Sequence, residues 1–260
     1  NYGDEGKGLM TDYFASLDPE NSLIVRFNGG AQAEHTVVCP DGRRHVFSHF
    51  VSASFLNCPT YLSKFFIVNP LLFVKELNEL LAKGVRPKVF VDPQAIVSTP
   101  FDVFINQEVE MQRAGKRHGS CGVGINETVT RCLSAPEFCT RVANLFDEAD
   151  LRHHLQLLAM NWLPSRLSAH GIDLNSDSVK AFFNIIDIVI ERYLHDVSAF
   201  LNEVSISSGV FAGQQIIFEG AQGLMLDEMR RDQFPHLTRS RTGLTNVIKL
   251  LPQFGIDDLS

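Results

Sequence analysis

Gly3-Asp4-Glu5-Gly6-Lys7-Gly8, running directly into the helical pattern Lys7 to Leu17, is the stretch on which the fold turns. Glycines let a backbone approach an anion closely, N–H groups at a helix start point toward it, and a lysine adds a point charge. The nucleotide-hydrolase phosphate loop also ends in Gly-Lys but continues with Ser or Thr; here Gly8 follows the lysine. The acid Asp4 sits where a carboxylate can hold Mg2+ or take a proton beside a transferring phosphoryl group. The same residues also read as a glycine-rich turn capped by an acid, and spacing alone leaves both readings open.

Outward from this loop, strand and helix patterns alternate. Leu23, Ile24, Val25 and Phe27 form a short apolar run that reads as a buried strand, followed by Gly29-Gly30 and a polar stretch carrying His35. Val37-Val38 and His45-Val46-Phe47 flank Pro40-Asp41-Gly42, which predicts a hairpin. Tyr61 to Val68 predicts another strand, Pro70 to Gly84 a helix, Lys88 to Val91 a strand and Phe101 to Ala114 a helix. Gly115 to Gly124 is a second glycine-rich loop. From Glu137 to His170 and from Ser176 to Val204 the period is helical. Val179, Phe182, Phe183, Ile186, Ile190, Tyr193, Val197 and Phe200 make one apolar stripe, read as core packing, with His153, His154, His170 and His195 as surface or packing histidines. Ile216-Ile217-Phe218 returns as a strand feeding Glu219-Gly220-Ala221-Gln222-Gly223. The expected fold is α/β: a mainly parallel sheet flanked by helices, a P-loop-like nucleotide-binding core with a helical insertion over about 137–204, in one domain spanning 1–260.

Composition narrows the function classes. Apolar residues make up 45% and charged residues 20% of the 260, with no apolar run of membrane length, so a soluble, cytoplasmic protein is expected. The five cysteines, Cys39, Cys58, Cys121, Cys132 and Cys139, contain no C-x-x-C pair, so neither a disulfide framework nor structural zinc is expected. A formal charge of -7 argues against nucleic acid as a partner while permitting a local basic pocket for a nucleotide. Nothing precedes the phosphate loop, and the chain stops at Asp257-Asp258-Leu259-Ser260, which reads as a fragment of a longer fold.

Taken together and in this order, three segments resemble the adenylosuccinate synthetase family, whose members join inosine monophosphate (IMP) to aspartate using GTP. They are Gly3 to Gly8, then Arg26-Phe27-Asn28-Gly29-Gly30 through His35-Thr36-Val37-Val38, then Phe218-Glu219-Gly220-Ala221-Gln222-Gly223. The resemblance implies Asp4 as the base that removes the purine N1 proton, so that the 6-oxo oxygen attacks the γ-phosphoryl group. It implies His35 as the acid that hydrogen-bonds the GDP leaving group. GTP would be held by Gly3, Asp4, Glu5, Gly6, Lys7, Gly8, Leu9, Glu34, His35 and Thr36. IMP would meet Asp4, Glu5, Gly6, Lys7, Gln32, Ala33, Glu34, His35, Cys121, Arg131, Gln222 and Thr238, and Mg2+ would lie at Asp4 and Glu34. A homodimer is implied, with Arg131 about where the family sends an arginine into the partner's nucleotide site.

Departures from the family pattern are specific. Gln32 and Glu34 replace Asn and Gly in the second loop, and Cys121 and Val123 replace Thr and Arg in the third, where the glycines 119, 122 and 124 retain backbone amides for a phosphate. Arg239 and Arg241 replace small polar residues and add positive charge beside Thr238. The family's guanine-recognition segment and aspartate-binding arginine loop follow the matched region and are expected to be absent. Two alternatives stay open: a relative acting on another purine monophosphate, such as a 2-amino purine, and a catalytically degenerate nucleotide-binding paralogue. A generic P-loop ATPase is disfavoured by Gly8.

Overall fold

The computed structural model describes residues 2–3, 5–32, 34–113, 121–209, 211 and 213–256. Its centre is a parallel sheet of five strands in the order β6-β5-β4-β1-β7. These are β1 (Ser22–Arg26), β4 (Thr60–Leu62), β5 (Val89–Val91), β6 (Val204–Ile206) and β7 (Gln215–Glu219). The antiparallel pair β2 (His35–Val38) and β3 (Arg44–Phe47) forms the hairpin expected around Pro40-Asp41-Gly42. Every residue of β1 is buried, because a central parallel strand is covered on both faces and paired on both sides.

Alternation along β1 divides the core. Leu23 and Val25 face a cluster with Phe27, Tyr61 and the helix α9 (Thr245–Leu250), whereas Ile24 faces Ala15 of α1 (Lys7–Leu17) and Val51 and Ala53. Helix α1 turns Gly8, Thr11 and Ala15 inward and leaves Leu9, Met10, Tyr13, Phe14 and Leu17 exposed. Helix α2 (Pro70–Ala82) starts as its Asn-Pro signal predicts, with Asn69 Oδ1 accepting from Leu72 N at 3.1 Å. Helix α3 (Pro100–Gln112) opens on a capping box in which Asp102 accepts from Thr99 N at 2.8 Å.

Among the described residues between β5 and β6, α3 is followed by α4 (Ile125–Ser134), α5 (Glu148–Leu157), α6 (Leu163–Ala169), α7 (Asp177–Asn184) and α8 (Ile186–Glu203). The apolar stripe lies where expected, with Val179, Ile190, Tyr193, Val197 and Phe200 in the main core; Phe200 meets Phe73 edge-on at 4.9 Å.

Three expectations are corrected. The strand predicted over Tyr61 to Val68 keeps ladder pairing only to Leu62, because Phe66 N bonds Ser63 O in a turn; Ile67 and Val68 then form isolated bridges. Helix was expected from Glu137, but 3-10 turns at Pro136–Phe138 and Val142–Asn144 precede α5, consistent with Pro136. Cys132 and Cys139, seven residues apart, are disulfide-bonded, because the turn after α4 brings their Cα atoms to 4.3 Å.

One buried polar cluster had no signal in the sequence pattern. The carboxylate of Glu76 on α2 accepts from Ser48 N at 2.9 Å, Ser48 Oγ at 2.6 Å and His49 N at 2.8 Å, with His45 Nε2 and His49 Nδ1 each 3.6 Å away. Burial opposes the charged form, but the close His45 and His49 rings and the Ser48 hydrogen bonds prevail and hold the Glu76 carboxyl far below the usual carboxylate range. This cluster ties the end of the β2-β3 hairpin to α2.

Candidate active site

The site forms at the carboxyl ends of β1 and β7, where a parallel sheet gathers its ligands. Register places Arg26 directly beside Glu219, and their fully buried side chains pair at 2.8 Å. The second Glu219 oxygen accepts from Ser52 N at 3.0 Å. Two residues further on, Asn28 clamps the two loops: its Nδ2 donates to Ala221 O at 3.0 Å and its Oδ1 accepts from Ala221 N at 2.8 Å. Gly29 N donates to Ser240 Oγ at 3.0 Å, drawing in the segment around Thr238. Loops far apart in sequence are thereby fixed around one opening.

Two adjoining clefts open there. The smaller, about 520 Å³, is lined by Gly3, Gly6, Lys7, Gly8, Leu9, Glu34, His35 and Thr36, and the larger, about 1060 Å³, by Cys121, Val123, Gly124 and Thr238 among others. Gln32 and Gln222 line both. The structure thus brings Gly3, Gly6, Lys7, Gly8 and His35 into one cleft, and Cys121 and Thr238 into the other, while Glu5 is among the lining residues of neither. Asp4, Ala33 and Gly119, also singled out in the sequence, lie outside the described residues.

His35 Nε2 lies 3.1 Å from Gly220 O and 3.9 Å from Glu219 Oε1. A carbonyl oxygen only accepts, so Nε2 carries the proton. Burial first, then the Arg26 guanidinium, pushes the His35 pKa below its ordinary value. The resting imidazole is therefore neutral, with its tautomer set by the loop after β7. Lys7 folds back to donate to Gly3 O, 3.6 Å from Glu5 Oε2, and so caps the phosphate loop from inside. Gly6 at φ 78° takes the left-handed conformation that starts α1.

Gly8 is required by close approach. A Cβ there would lie 2.9 Å from Ser52 Oγ and 3.0 Å from His35 Cβ. Gly8→Ala is expected to cost about 1–3 kcal/mol through overpacking, read as a lower urea midpoint with unchanged slope. An unchanged midpoint would show that Ser52 and His35 yield freely.

Gln222 has a left-handed backbone at φ 63°, a strained state for a non-glycine residue. Its Oε1, and both amide atoms of Gln32, are buried with no hydrogen-bond partner among the described residues. Unpaired buried amides are costly, and these three atoms belong to the two residues that line both clefts.

Arg131 is a correction. Its side chain is fully buried: Nη2 and Nε hold Asp102 at 2.7 and 2.9 Å, and further N–H groups reach Phe138 O at 2.5 Å, Val97 O at 3.0 Å and Thr140 Oγ1 at 3.2 Å. A guanidinium spent on these acceptors is not available to a nucleotide in a partner subunit. The third loop differs too, since Gly124 N donates to Asn106 Oδ1 at 3.3 Å instead of standing ready for a phosphate. Arg241 pairs with Asp227 at 3.4 Å rather than adding free charge.

Sequence reasoning missed the Arg26–Glu219 pair. Two opposite charges at corresponding ends of apolar strand runs were the signal that could have exposed it. Asp12, on α1, was also passed over; burial and then the nearby Glu219 charge raise its pKa.

For Mg2+, the described donors suit a hard cation: the Glu34 carboxylate and Thr36 hydroxyl lie along the phosphate cleft. Such an ion usually takes one or two carboxylates and completes its shell with phosphate oxygens and water, so the absence of a three-residue metal cluster among the described residues is compatible with it. Also among them, no helix is long and apolar enough to cross a membrane.

Known proteins agree with this architecture. Adenylosuccinate synthetase from Desulforapulum autotrophicum is 28% identical over 253 residues, covering 95% of this chain and 56% of the relative. That from Mesoplasma florum is 29% identical over 253 residues, covering 95% and 55%. Among solved structures, fully ligated adenylosuccinate synthetase from Plasmodium falciparum superposes with a TM-score of 0.64 at 21% identity, covering 98% of this chain and 57% of that one. Cyanophage S-2L succinoaminodeoxyadenylate synthetase, bound to dGMP and dATP, gives 0.51 at 18% identity, with 98% and 57% covered. At these identities the structural matches speak for the fold. The chain spans little more than half the length of these relatives. The family model described as adenylosuccinate synthetase matches residues 1–254, and this chain belongs to the adenylosuccinate synthetase family.

Proposed function

We propose that this chain supplies the GTP and purine-monophosphate sites of an adenylosuccinate synthetase, a ligase that joins IMP to L-aspartate through 6-phosphoryl-IMP. The observation that carries the reading is the shared wall: unsatisfied amides of Gln32 and Gln222 separate a phosphate-loop cleft from a larger one. Two substrates bound on either side of that wall would meet at it. The γ-phosphoryl group would lie over Lys7 and the loop glycines, within reach of a purine edge held by the two glutamines. Asp4, by its place in the motif, would take the N1 proton, and His35 would turn its Nε2–H from Gly220 O to the leaving GDP as charge builds there. Mg2+, held by Asp4 and Glu34 with the phosphates, would supply charge neutralisation. Aspartate would then displace the phosphoryl group at C6, releasing phosphate. A cytoplasmic homodimer belongs to the same proposal.

The test mixes the protein with IMP, L-aspartate and GTP-Mg2+ and follows the purine absorbance. A GTP-dependent change establishes the ligase. Silence, with calorimetric binding of both GTP-Mg2+ and IMP, replaces it with a nucleotide-binding paralogue, which Gln32, Glu34, Cys121 and Val123 favour.

A further inference from the structure

Two departures remove side chains expected at the purine monophosphate: Arg131 is committed to Asp102 in the core, and residue 121 is a cysteine with no hydroxyl to offer. The larger cleft nevertheless has cationic groups of its own. Three arginines line it. Arg113 is held by Glu110 at 2.5 Å, but Arg231 and Arg239 have no carboxylate at ion-pair distance among the described residues. The neighbouring Arg230 and Arg241 do, with Asp232 at 3.1 Å and Asp227 at 3.4 Å. The cleft's acids are less free: Glu110 is spent on Arg113, and Glu127 is held by Arg166 at 2.6 Å, which leaves Glu228.

Local structure explains how Arg239 is presented. Thr238 N donates to Leu226 O at 2.8 Å and Glu228 N to Ser240 O at 3.2 Å, which ties the chain on both sides of Arg239 to residues 226–228. Thr238, Ser240 and Thr242 are buried, whereas the intervening Arg239 is exposed and lines the cleft together with Thr238. In a chain of net charge -7, the exposed Arg231 and Arg239 bring to one cleft two guanidinium groups with no carboxylate at ion-pair distance among the described residues. Guanidinium forks match phosphate oxygens in geometry and charge.

Resting on the function proposed above, we propose that Arg239 and Arg231 bind the 5′-phosphate of the purine monophosphate from within a single chain, in place of an arginine lent by a partner. Thr238 and the glutamine wall then locate the ribose and base relative to the phosphate loop.

Calorimetric titration of the 260-residue chain with IMP and with inosine, which lacks the phosphate, tests this. IMP is expected to bind tighter than inosine, and Arg239→Ala and Arg231→Ala each to weaken IMP by roughly ten- to hundredfold, the range for a charged hydrogen bond. Inosine affinity and the melting transition should not move, which separates lost phosphate contact from lost fold. A double variant that binds IMP as the wild type does overturns the assignment while leaving the purine-monophosphate site intact. If neither IMP, GMP nor dGMP binds to a chain that still binds GTP-Mg2+, the purine-monophosphate reading itself falls, and this assignment with it.

Discussion

Replacing His35 with alanine is expected to slow the GTP-dependent ligation roughly 10²- to 10³-fold while leaving GTP affinity nearly unchanged. The argument is geometric. His35 lines the phosphate cleft with Lys7, its Nε2–H is fixed on Gly220 O at 3.1 Å, and Glu219 stands 3.9 Å behind it. Burial and Arg26 hold the ring neutral. Such a ring, with its one N–H on Gly220 O, adds little to binding a ground-state triphosphate, whose charge Lys7 and the loop amides already meet, but it matters once that N–H turns to the leaving group as charge develops there. Rate and affinity measured separately on the variant decide the point. Equal losses in both would make His35 a ground-state ligand, and an unchanged rate would leave it only the task of supporting the loop after β7.

Arg131→Ala is expected to be the most destabilising single change among the residues singled out from the sequence, at about 3–5 kcal/mol, because it leaves Asp102 buried without its cation. Asp102 also caps α3 through Thr99, so the damage spreads to the start of that helix. Urea unfolding of the variant measures it. A family-like arginine reaching into a partner's site would behave in the opposite way, sparing stability and weakening nucleotide affinity in the dimer. That pattern would restore the intersubunit role.

Much of this was readable in the chain. The loop Gly3 to Gly8 opens α1, the apolar run at Leu23 to Val25 is the central strand, Pro40-Asp41-Gly42 turns a hairpin, and Asn69-Pro70 starts α2. Each signal is local: a period, a cap or a turn residue acts over a few positions. The signals failed where the answer depended on partners distant in sequence. Tyr61 to Val68 has the composition of a long strand, yet only two residues of it, Tyr61 and Leu62, lie in the ladder of β4. Arg131 looks like any helical arginine until α3 places Asp102 against it, 29 residues away.

The candidate site divides along the same line. Residue chemistry drew attention to the glycines, lysine and acid of the phosphate loop, whereas His35, Gln222 and Thr238 were picked out by the family resemblance. Only the tertiary structure decided that Arg26 and Glu219 neutralise each other under His35, across 193 residues of sequence, and that Gln32 and Gln222 share a wall. It likewise decided that Arg239 lines the cleft while Arg241 is held by Asp227. Burial, strand register and the pairing of charges are properties of the packed chain. Local sequence sets which groups are present and how they repeat, and packing sets which of them remain free to meet a ligand.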